Sequence, residues 1–319
     1  MASIAAIGEV MVELRPHAAA EDNAQRLMAL SYAGDTYNTA IYMARCGAKT
    51  RYVTVLADDR FSDDIFSVLA QENIDSDLIR RKNGRMPGLY TIENDPDGER
   101  HFSYWRKEAP ARELFTPGNE TEVLYQQLMH CEYLYFSGIT LAIISQEARQ
   151  SLLTFLKKYR EQGGVVAFDS NYRPALWGSV DEARASSLAF LALSDIALLT
   201  FDDEALLWGD NNADECIKRY HKMGIGELVI KRGAQDVLIV TGQVIETISV
   251  PRVQNVVDTT GAGDTFNAGY LAQRLAGWAP IAAAKEGIRC AGIVIRHPGG
   301  VIASSIFKQE YGEKPDILK

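Results

Sequence analysis

One stretch of the sequence combines residue types that could bind an anion and assist attack on it. An apolar segment that ends at Val257 is followed by a glycine-rich turn, and a helical pattern begins at Thr265. The turn consists of Gly261, Ala262, Gly263 and Asp264. Glycines at a helix start let backbone N–H groups approach an anion, and the helix dipole adds a partial positive charge there. A carboxylate at the same point can take a proton from the attacking nucleophile.

Asp264 also fits a simpler role, because the helix dipole favours acidic residues at helix starts. A dinucleotide-binding turn is excluded by spacing, since Phe266 stands where G-x-G-x-x-G requires glycine or alanine. A P-loop is excluded as well, since no Gly-Lys-Ser/Thr follows the turn. The residues alone therefore leave two alternatives for Asp264, a catalytic base or a helix-start residue.

A second group of candidate residues lies in a predicted β-hairpin. The segments Gly88–Glu93 and Arg100–Arg106 flank the turn sequence Asn94-Asp95-Pro96-Asp97-Gly98, which predicts two antiparallel strands. The period of a strand places Tyr104 and Arg106 on one face. Such a hairpin does not fit a parallel sheet, and it could be an edge ribbon, an interface or a lid over a site.

The rest of the chain alternates short apolar segments with helical patterns, which is typical of a parallel sheet covered by helices on both faces. Buried strands are predicted at Ile4–Ile7, Tyr52–Leu56, Tyr133–Phe136, Val165–Phe168, Ile196–Leu199 and Leu228–Ile230, with a further apolar run at Val237–Val240. Helices are predicted at Thr36–Cys46, Gln146–Tyr159, Glu182–Leu193, Ala213–Met223, Ala282–Arg296 and from Thr265 to about Ala276. Without a repeat or a linker, residues 1–319 are expected to form one α/β domain.

Composition excludes several classes of protein. The 319 residues are 47% hydrophobic and 24% charged, which are ordinary values for a globular chain. No apolar run approaches the roughly 18–20 residues of a membrane helix, and the N-terminal residues lack the basic region of a signal peptide. A net charge of −9 argues against general nucleic-acid binding. We therefore expect a cytoplasmic protein that binds neither nucleic acid nor a membrane.

The cysteines and histidines show no metal-binding spacing. The five histidines contain no H-E-x-x-H, and no C-x-x-C is present. The four cysteines are Cys46, Cys131, Cys216 and Cys290. Scattered cysteines of this kind indicate buried thiols in a reducing compartment and not a disulfide framework or a zinc site.

The glycine-rich turn belongs to a longer pattern with a recognisable likeness. The segment Asp258-Thr259-Thr260-Gly261-Ala262-Gly263-Asp264 resembles the C-terminal signature of the ribokinase-like (PfkB) carbohydrate kinases. Gly8-Glu9 closes the first strand as in that family. The segment Gly34-Asp35-Thr36-Tyr37-Asn38 is similar to its sugar-binding G-G-x-x-x-N element, with Ala33 in place of the first glycine. The resemblance covers essentially the whole chain.

This resemblance implies a ribokinase-like three-layer sandwich with a mainly parallel central sheet. It also implies a small β-sheet lid formed by parts of 10–33 and 86–108. Because lids in this family often pair between subunits, it implies a homo-oligomer, either a dimer or a dimer of dimers.

Within the family the chain resembles bacterial kinases of keto-deoxy sugar acids. The segments that carry this likeness are 34–39, 87–90, 98–100, 104–106, 169–174 with Leu176-Trp177, and 202–204. They imply ATP-dependent phosphorylation of 2-dehydro-3-deoxy-D-gluconate at its 6-hydroxyl by direct in-line transfer. Three alternatives remain: a fructokinase-like kinase of an uncharged sugar, a kinase of another keto-deoxy sugar acid, and a non-catalytic sugar-acid sensor on the same fold.

The resemblance also implies roles for individual residues. Asp264 would take the proton from the substrate hydroxyl. The N–H groups that would bind the transferring phosphoryl group belong to Gly261, Ala262 and Gly263. The implied substrate-binding residues are Gly34, Asp35, Asn38, Tyr90, Tyr104, Arg106, Arg173 and Asp264. Arg106 and Arg173 suit a carboxylate because a guanidinium donates two parallel hydrogen bonds, although each could instead form a surface ion pair.

The implied cofactors are ATP and Mg²⁺, with K⁺ as an optional monovalent cation near Asp258. The implied ATP-binding residues are Asn171, Lys231, Gly233, Gly261, Ala262 and Gly263. Glu204 matches the last position of the family's magnesium-linked N-x-x-E element, but Phe201 stands at the asparagine position. Glu204 would therefore act on the metal through water, or the segment is structural. In the structural alternative, Thr200 and Asp203 resemble a capping box.

Overall fold

The computed structural model describes residues 3–16, 27–94 and 100–312. Its strands are β1 Ile4–Ile7, β2 Met11–Pro16, β3 Met28–Ala33, β4 Thr50–Val53, β5 Val55–Ala57, β6 Arg80–Lys82, β7 Gly88–Asn94, β8 Arg100–Trp105, β9 Tyr133–Ser137, β10 Val165–Asp169, β11 Ile196–Thr200, β12 Glu227–Lys231, β13 Asp236–Thr241 and β14 Val244–Ser249. Its helices are α1 Asp35–Arg45, α2 Arg60–Gln71, α3 Asn119–Leu128, α4 Gly138–Ile143, α5 Gln146–Glu161, α6 Val180–Leu191, α7 Phe201–Trp208, α8 Ala213–His221, α9 Ala262–Leu275, α10 Pro280–Val294 and α11 Ser304–Gly312.

A large sheet forms the centre of the fold, with strand order β14-β13-β12-β11-β10-β9-β1-β4. The strands from β12 to β4 are parallel, and β13 and β14 are antiparallel additions at one edge. The parallel strands are apolar along most of their length because helices cover both faces. The predicted mainly parallel α/β sheet is therefore confirmed.

One predicted strand is wrong. The apolar run Tyr52–Leu56 is divided between β4, in the large sheet, and β5, which pairs with β6 in a separate two-stranded sheet. The division falls at Thr54, whose carbonyl accepts a hydrogen bond from the Arg80 N–H at 3.2 Å. The backbone therefore leaves the large sheet there, a change of partner that the apolar pattern does not encode.

Alternation along the strands assigns side chains to two hydrophobic cores, one on each face of the sheet. Ala5 and Ile7 belong to one core, whereas Ile4 and Ala6 belong to the other. Helices α3, α5, α6 and α8 cover the first face, and α1, α2, α9, α10 and α11 cover the second. This arrangement is the predicted three-layer sandwich.

Two helix starts show how local sequence sets the boundaries. Ser145 caps α5, since its hydroxyl accepts from the Ala148 N–H at 3.1 Å. Helix α6 begins earlier than predicted, because Ser179 caps it by accepting from the Glu182 N–H at 3.1 Å. Serine is a preferred residue at both positions because its side chain satisfies an N–H group of the first helical turn.

Helix α9 packs closely against α10 at Gly269. A side chain at Gly269 would lie 2.9 Å from the Cys290 sulfur and 3.1 Å from the Gly287 Cα atom. The close approach of these two helices therefore depends on glycine, and it fixes α9 firmly against the second core.

The cysteines are free thiols. Cys131, Cys216 and Cys290 are buried as expected, while Cys46 is half-buried with its sulfur 3.7 Å from that of Cys290. In the part of the chain that the structure describes, no helix has both the length and the apolar character needed to cross a membrane.

A small sheet of order β3-β2-β7-β8 forms the lid and confirms the predicted hairpin. Strands β7 and β8 pair antiparallel, and β2 joins β7 in parallel. The turn at 95–99 lies outside the described residues, as do residues 17–26 of the predicted lid. The rings of Tyr90, Phe102 and Tyr104 contact one another, so these side chains lie on one face of the small sheet.

Candidate active site

The functional candidates converge at the carboxyl ends of the parallel strands, where ligands gather in open α/β sheets. Asp169 ends β10 and Lys231 ends β12. The N-terminal turns of α1 and α9 reach the same edge, because the Asn38 amide donates to the Asp264 carboxylate at 2.8 Å. Residues from distant parts of the chain thus form one site.

Asp264 is half-buried and densely surrounded by protein, and its pKa is raised to about 8. Desolvation is the largest cause, and the Asp35 carboxylate raises the pKa further, while Asn38 and Lys231 lower it. A residue that served only the helix dipole would have a lowered pKa. The raised value favours the proton-accepting alternative, since a general base works best with a pKa near the working pH.

The turn before Asp264 requires glycine. Gly261 has a φ of +71°, and a side chain there would lie 2.9 Å from the Gly300 backbone. The Ala262 N–H donates to the Thr259 carbonyl at 3.2 Å. Within the described residues, the N–H groups of Gly261 and Gly263 have no acceptor. Two of the three predicted donors are therefore free to bind an anion.

Asn38 and Gly34 form the start of α1. A side chain at Gly34 would lie 2.2 Å from the Glu9 carbonyl oxygen, so only glycine fits. The Gly34 N–H donates to the Asn38 side-chain oxygen at 3.4 Å, while the Asn38 amide group donates to Asp264. Asn38 therefore supports its own turn and also orients the Asp264 carboxylate.

Asp35 is held by two donors. The Ser137 hydroxyl and the Asn171 side-chain amide donate to its carboxylate at 2.5 and 2.9 Å. Desolvation raises the pKa of Asp35, and the Ser137 hydrogen bond opposes that shift. Asn171 has a φ of +27°, and this unusual backbone conformation turns its side chain back toward α1.

Lys231 is buried, with 8% of its surface exposed. Its ammonium group donates to the Asn267 side-chain oxygen at 2.8 Å and lies 3.7 Å from Asp169 Oδ1. Gly233, two residues further on, has a φ of +59° and open space around it, so a ligand can approach its backbone. Asn267 is not among the residues predicted from the sequence, although its position one turn after Asp264 on a predicted helix was a usable signal.

Arg106 is buried at the junction of lid and core, with 9% of its surface exposed. Its Nη2 group donates to the carboxylate of Glu9, which is also buried. In the described residues, Arg106 Nε and Glu9 Oε1 have no hydrogen-bond partner. Burial raises the pKa of Glu9, and Arg106 opposes that shift. The alternative of a surface ion pair is therefore wrong for Arg106, whose ion pair is internal.

The rings of the two candidate tyrosines contact each other on one lid face, with centroids 5.6 Å apart and planes tilted by 32°. The Tyr90 hydroxyl donates to the Glu13 carboxylate and is buried, whereas Tyr104 is 52% exposed. The Tyr104 pKa is raised by burial and lowered by the charges of Arg106 and Arg173. Its hydroxyl therefore lies within the electrostatic field of both arginines.

Arg173 follows β10 and is half-exposed. Its Nη1 group donates to the Tyr172 carbonyl at 2.8 Å and to Asp203 Oδ1 at 3.0 Å. The Thr200 side chain makes no capping hydrogen bond, because Asp203 faces Arg173 instead. The predicted capping box is therefore wrong.

Glu204 is buried, with 1% of its surface exposed, and it lies beside the side chain of Ser170, which stands between Asp169 and Asn171 in the chain. It accepts a hydrogen bond from the Tyr220 hydroxyl at 2.5 Å, and burial raises its pKa to about 7. Among the described residues, Glu204, Asp210 and Cys216 are the potential metal ligands whose donor atoms lie within 4.8 Å of one another. Arg219 already neutralises Asp210, so this group does not fit a cation.

Two buried oxygens fit a magnesium ion better. In the described part of the chain, Asp169 Oδ1 and Asn171 Oδ1 have no hydrogen-bond partner. Carboxylate and amide oxygens are ligands that Mg²⁺ accepts, directly or through water. Asp258, by contrast, organises its own loop, because its oxygens accept from the N–H groups of Thr260 and Gly299 at 2.8 Å each.

Comparisons with known proteins show which proteins this chain is similar to in sequence. The family model described as pfkB family carbohydrate kinase matches residues 1–306. The chain is 44% identical to a 2-dehydro-3-deoxygluconokinase of Dickeya dadantii over 94% of this chain and 96% of that protein. It is 42% identical to the Escherichia coli K12 protein of the same name, with the same coverage.

A solved structure gives the same fold. The putative Ribokinase II of E. coli, in complex with ATP and Mg²⁺, superposes with a TM-score of 0.82 at 20% identity. The alignment covers 98% of this chain and all of that one. The predicted ribokinase-like fold is confirmed.

Proposed function

The chain belongs to the pfkB family of carbohydrate kinases, and from that premise we propose that it phosphorylates 2-dehydro-3-deoxy-D-gluconate at the 6-hydroxyl with ATP. The substrate is proposed from the Arg106 guanidinium, 5.9 Å from the centroid of the Tyr104 ring, and from Arg173 after β10, whose charge also lowers the Tyr104 pKa. Guanidinium groups beside a lid tyrosine suit a sugar acid, whereas an uncharged sugar offers no anion to them. The names of the relatives from D. dadantii and E. coli support the same substrate.

Asp264 is proposed as the base that takes the proton from the attacking hydroxyl. Its raised pKa means that the free protein holds a proton there at neutral pH, with about one molecule in ten ionised at pH 7. Asn38 holds one carboxylate oxygen by a hydrogen bond. The orientation of the carboxylate is therefore fixed before substrate binds.

We propose that the turn at the start of α9 and the Lys231 ammonium stabilise the negative charge of the transferring phosphoryl group. The free N–H groups of Gly261 and Gly263 stand at the positive end of a long helix. The Lys231 ammonium lies 3.9 Å from the point where a Gly263 side chain would begin. Asp169 and Asn171 are the residues that would hold Mg²⁺, which neutralises phosphate charge in kinases. Nothing in the mechanism requires a direct contact from Glu204.

The sugar acid is proposed to bind between the lid and α1, with its carboxylate toward Arg106 and Arg173. Tyr90 already donates its hydroxyl hydrogen to Glu13, so toward a substrate hydroxyl it acts as an acceptor. Pairing of lids between subunits stays a prediction.

The experiment is a coupled ADP-release assay with magnesium-ATP. The acceptors are 2-keto-3-deoxygluconate, its galactonate epimer, gluconate, fructose and ribose. We expect turnover confined to the keto-deoxy acids. Turnover of fructose or ribose at a similar rate would retain the kinase and remove the carboxylate argument. Binding of the sugar acid without turnover would instead indicate a sensor.

A further inference from the structure

Asn267 has a position that the proposed chemistry does not yet use. It lies on α9 one turn after Asp264, and none of its surface is exposed. Its side-chain oxygen accepts from the Lys231 ammonium at 2.8 Å. Its amide group donates to Asp169 Oδ2 at 2.9 Å and to the Tyr135 hydroxyl at 3.3 Å. Every polar atom of the side chain therefore has a partner.

The two charged partners of Asn267 are close but not hydrogen-bonded to each other. Lys231 Nζ and Asp169 Oδ1 are 3.7 Å apart, while a charge-assisted hydrogen bond between such groups is about 2.8 Å long. Both side chains are buried, and opposite charges attract more strongly there than in water. A direct contact would be expected unless another group prevented it.

The carboxamide of Asn267 supplies that group. It presents an acceptor to the ammonium and a donor to the carboxylate, so each charge has a hydrogen-bond partner other than its counter-ion. As a consequence, Asp169 Oδ1 keeps no hydrogen-bond partner in the described residues, and the ammonium stays beside the Gly263 turn. These are the two features that a nucleotide and its metal would use.

We infer that Asn267 is a positioning residue that holds the Lys231 ammonium and the Asp169 carboxylate apart, which keeps both available to magnesium-ATP. The inference deepens the kinase site and rests on the proposed use of these two groups, but not on the identity of the sugar. Without the carboxamide, the lysine closes on Asp169 Oδ1 and moves away from the turn, and the free oxygen is lost at the same time.

The test compares Asn267→Ala with Tyr270→Phe. Tyr270 lies one turn further along α9 and donates its hydroxyl to the buried Glu227, so its loss removes a comparable hydrogen bond outside the site. We expect Asn267→Ala to reduce affinity for a non-hydrolysable ATP analogue with Mg²⁺ about tenfold in calorimetry. We expect kcat to fall about 10–100-fold, from the usual worth of a hydrogen bond to a charged group. The KM of the sugar should change less than twofold, and Tyr270→Phe should leave all three values within twofold.

A double-mutant cycle with Lys231→Ala separates positioning from stability. If Asn267 acts through the lysine, the double variant loses little more analogue affinity than Lys231→Ala alone. Fully additive losses would overturn the inference. A crystal structure of Asn267→Ala should show the distance from Nζ to Oδ1 shortened from 3.7 Å to hydrogen-bond length. An unchanged distance would also overturn it.

Two outcomes, a misfolded Asn267→Ala variant and an inactive wild type, require a further variant or readout. If Asn267→Ala does not fold, Asn267→Ser removes the amide donor to Asp169 and is measured in the same way. If the wild-type protein phosphorylates no sugar acid, the proposed substrate fails. The analogue affinity and the crystal distance still decide the role of Asn267.

Discussion

The two halves of the candidate site differ in how their polar groups are satisfied. The transfer half, at the edge of the large sheet, consists of Asn38, Asp169, Asn171, Lys231, Gly261, Gly263, Asp264 and Asn267. The recognition half consists of the lid residues Glu13, Tyr90 and Tyr104, of Glu9 and Arg106 where the lid meets the core, and of Arg173 after β10 with its partner Asp203 on α7. The transfer half leaves side-chain oxygens and backbone N–H groups unpartnered among the described residues. In the recognition half, Arg106, Arg173 and Tyr90 are each already bonded to a carboxylate of the protein. Arg106 Nε and Glu9 Oε1, in one internal ion pair, are the atoms there that lack a partner among the described residues.

This difference follows from the elements that carry each half. Helix N-termini and strand ends present free donors and acceptors by their geometry, and neighbouring helices hold them rigidly. The recognition half takes its arginines from segments just after β8 and β10, and ion pairs with Glu9 and Asp203 orient these long side chains instead. In the proposed binding mode, an incoming sugar acid competes with Glu9 and Asp203 for the arginines. A ligand without a carboxylate has no such group, which is the proposed source of selectivity.

The largest expected effect is in the transfer half. Asp264→Asn should reduce kcat at least about 10³-fold, because the amide cannot accept the proton. Its affinity for ATP should change little. Asp59→Asn is the matched control, since Asp59 is a helix-start aspartate outside the site that caps α2 at 2.8 Å. If both variants kept their activity, Asp264 would be only a helix-start residue.

Removal of either arginine tests the recognition half. Arg106→Ala and Arg173→Ala should each raise the KM for the sugar acid about 10–100-fold, because a charge-assisted hydrogen bond is lost. Only Arg106→Ala should also lower the melting temperature clearly, since it leaves Glu9 buried without its partner.

Arg274→Ala is the matched control for Arg106→Ala. Arg274 pairs with the buried Glu227 outside the site, so its loss should lower stability without raising the KM. Equal increases in KM for all three variants would remove the distinction between recognition and folding.

The dependence of kcat/KM on pH tests the transfer half. The kcat/KM of the wild-type protein should rise about tenfold per pH unit below pH 8 and level off above it, because Asp264 with a pKa of about 8 must be ionised to act. A rate profile that is flat between pH 6 and 9 would count against Asp264 as the base.

The Asp264 carboxyl should also limit the folding stability of the protein. In the folded protein Asp264 keeps its proton to about pH 8, whereas in the unfolded chain an aspartate releases it near pH 3.8. Folding stability therefore falls as the pH rises between these values. Asp264→Asn should therefore be more stable than the wild type at pH 8, by a few kcal/mol in urea denaturation. The gain should shrink toward pH 5. A variant less stable than the wild type at pH 8 would contradict the raised pKa.

The smallest expected effect comes from Tyr90→Phe, which leaves Glu13 with the Ser31 hydroxyl as its remaining hydrogen-bond donor in the described residues. Loss of one hydrogen bond should raise the KM for the sugar acid a few-fold, by about 1 kcal/mol. Tyr270→Phe is again the control, because it removes a tyrosine–glutamate bond outside the site. A larger effect on kcat than on KM would move Tyr90 out of the recognition half.

The sequence by itself determined the layers and much of the site. Apolar runs and helical spacing predicted β1, β9, β10 and most of the helices, because burial on both faces of a sheet leaves a direct trace in local composition. The glycine-rich turn predicted where an anion could bind, because the φ of +71° at Gly261 demands a residue without a side chain. The likeness to a known family added the candidate roles.

Only the tertiary structure decided which groups meet. Glu9 and Arg106 are 97 positions apart, and Asn38 and Asp264 are 226 apart, so no local pattern could pair them. For the same reason the separation of Lys231 from Asp169 by Asn267 was not predictable. The side chains that orient one another at this site come from separate strands and helices. Their contacts, and the pKa shift of Asp264 that results, depend on how those elements pack and not on the order of residues within any one of them.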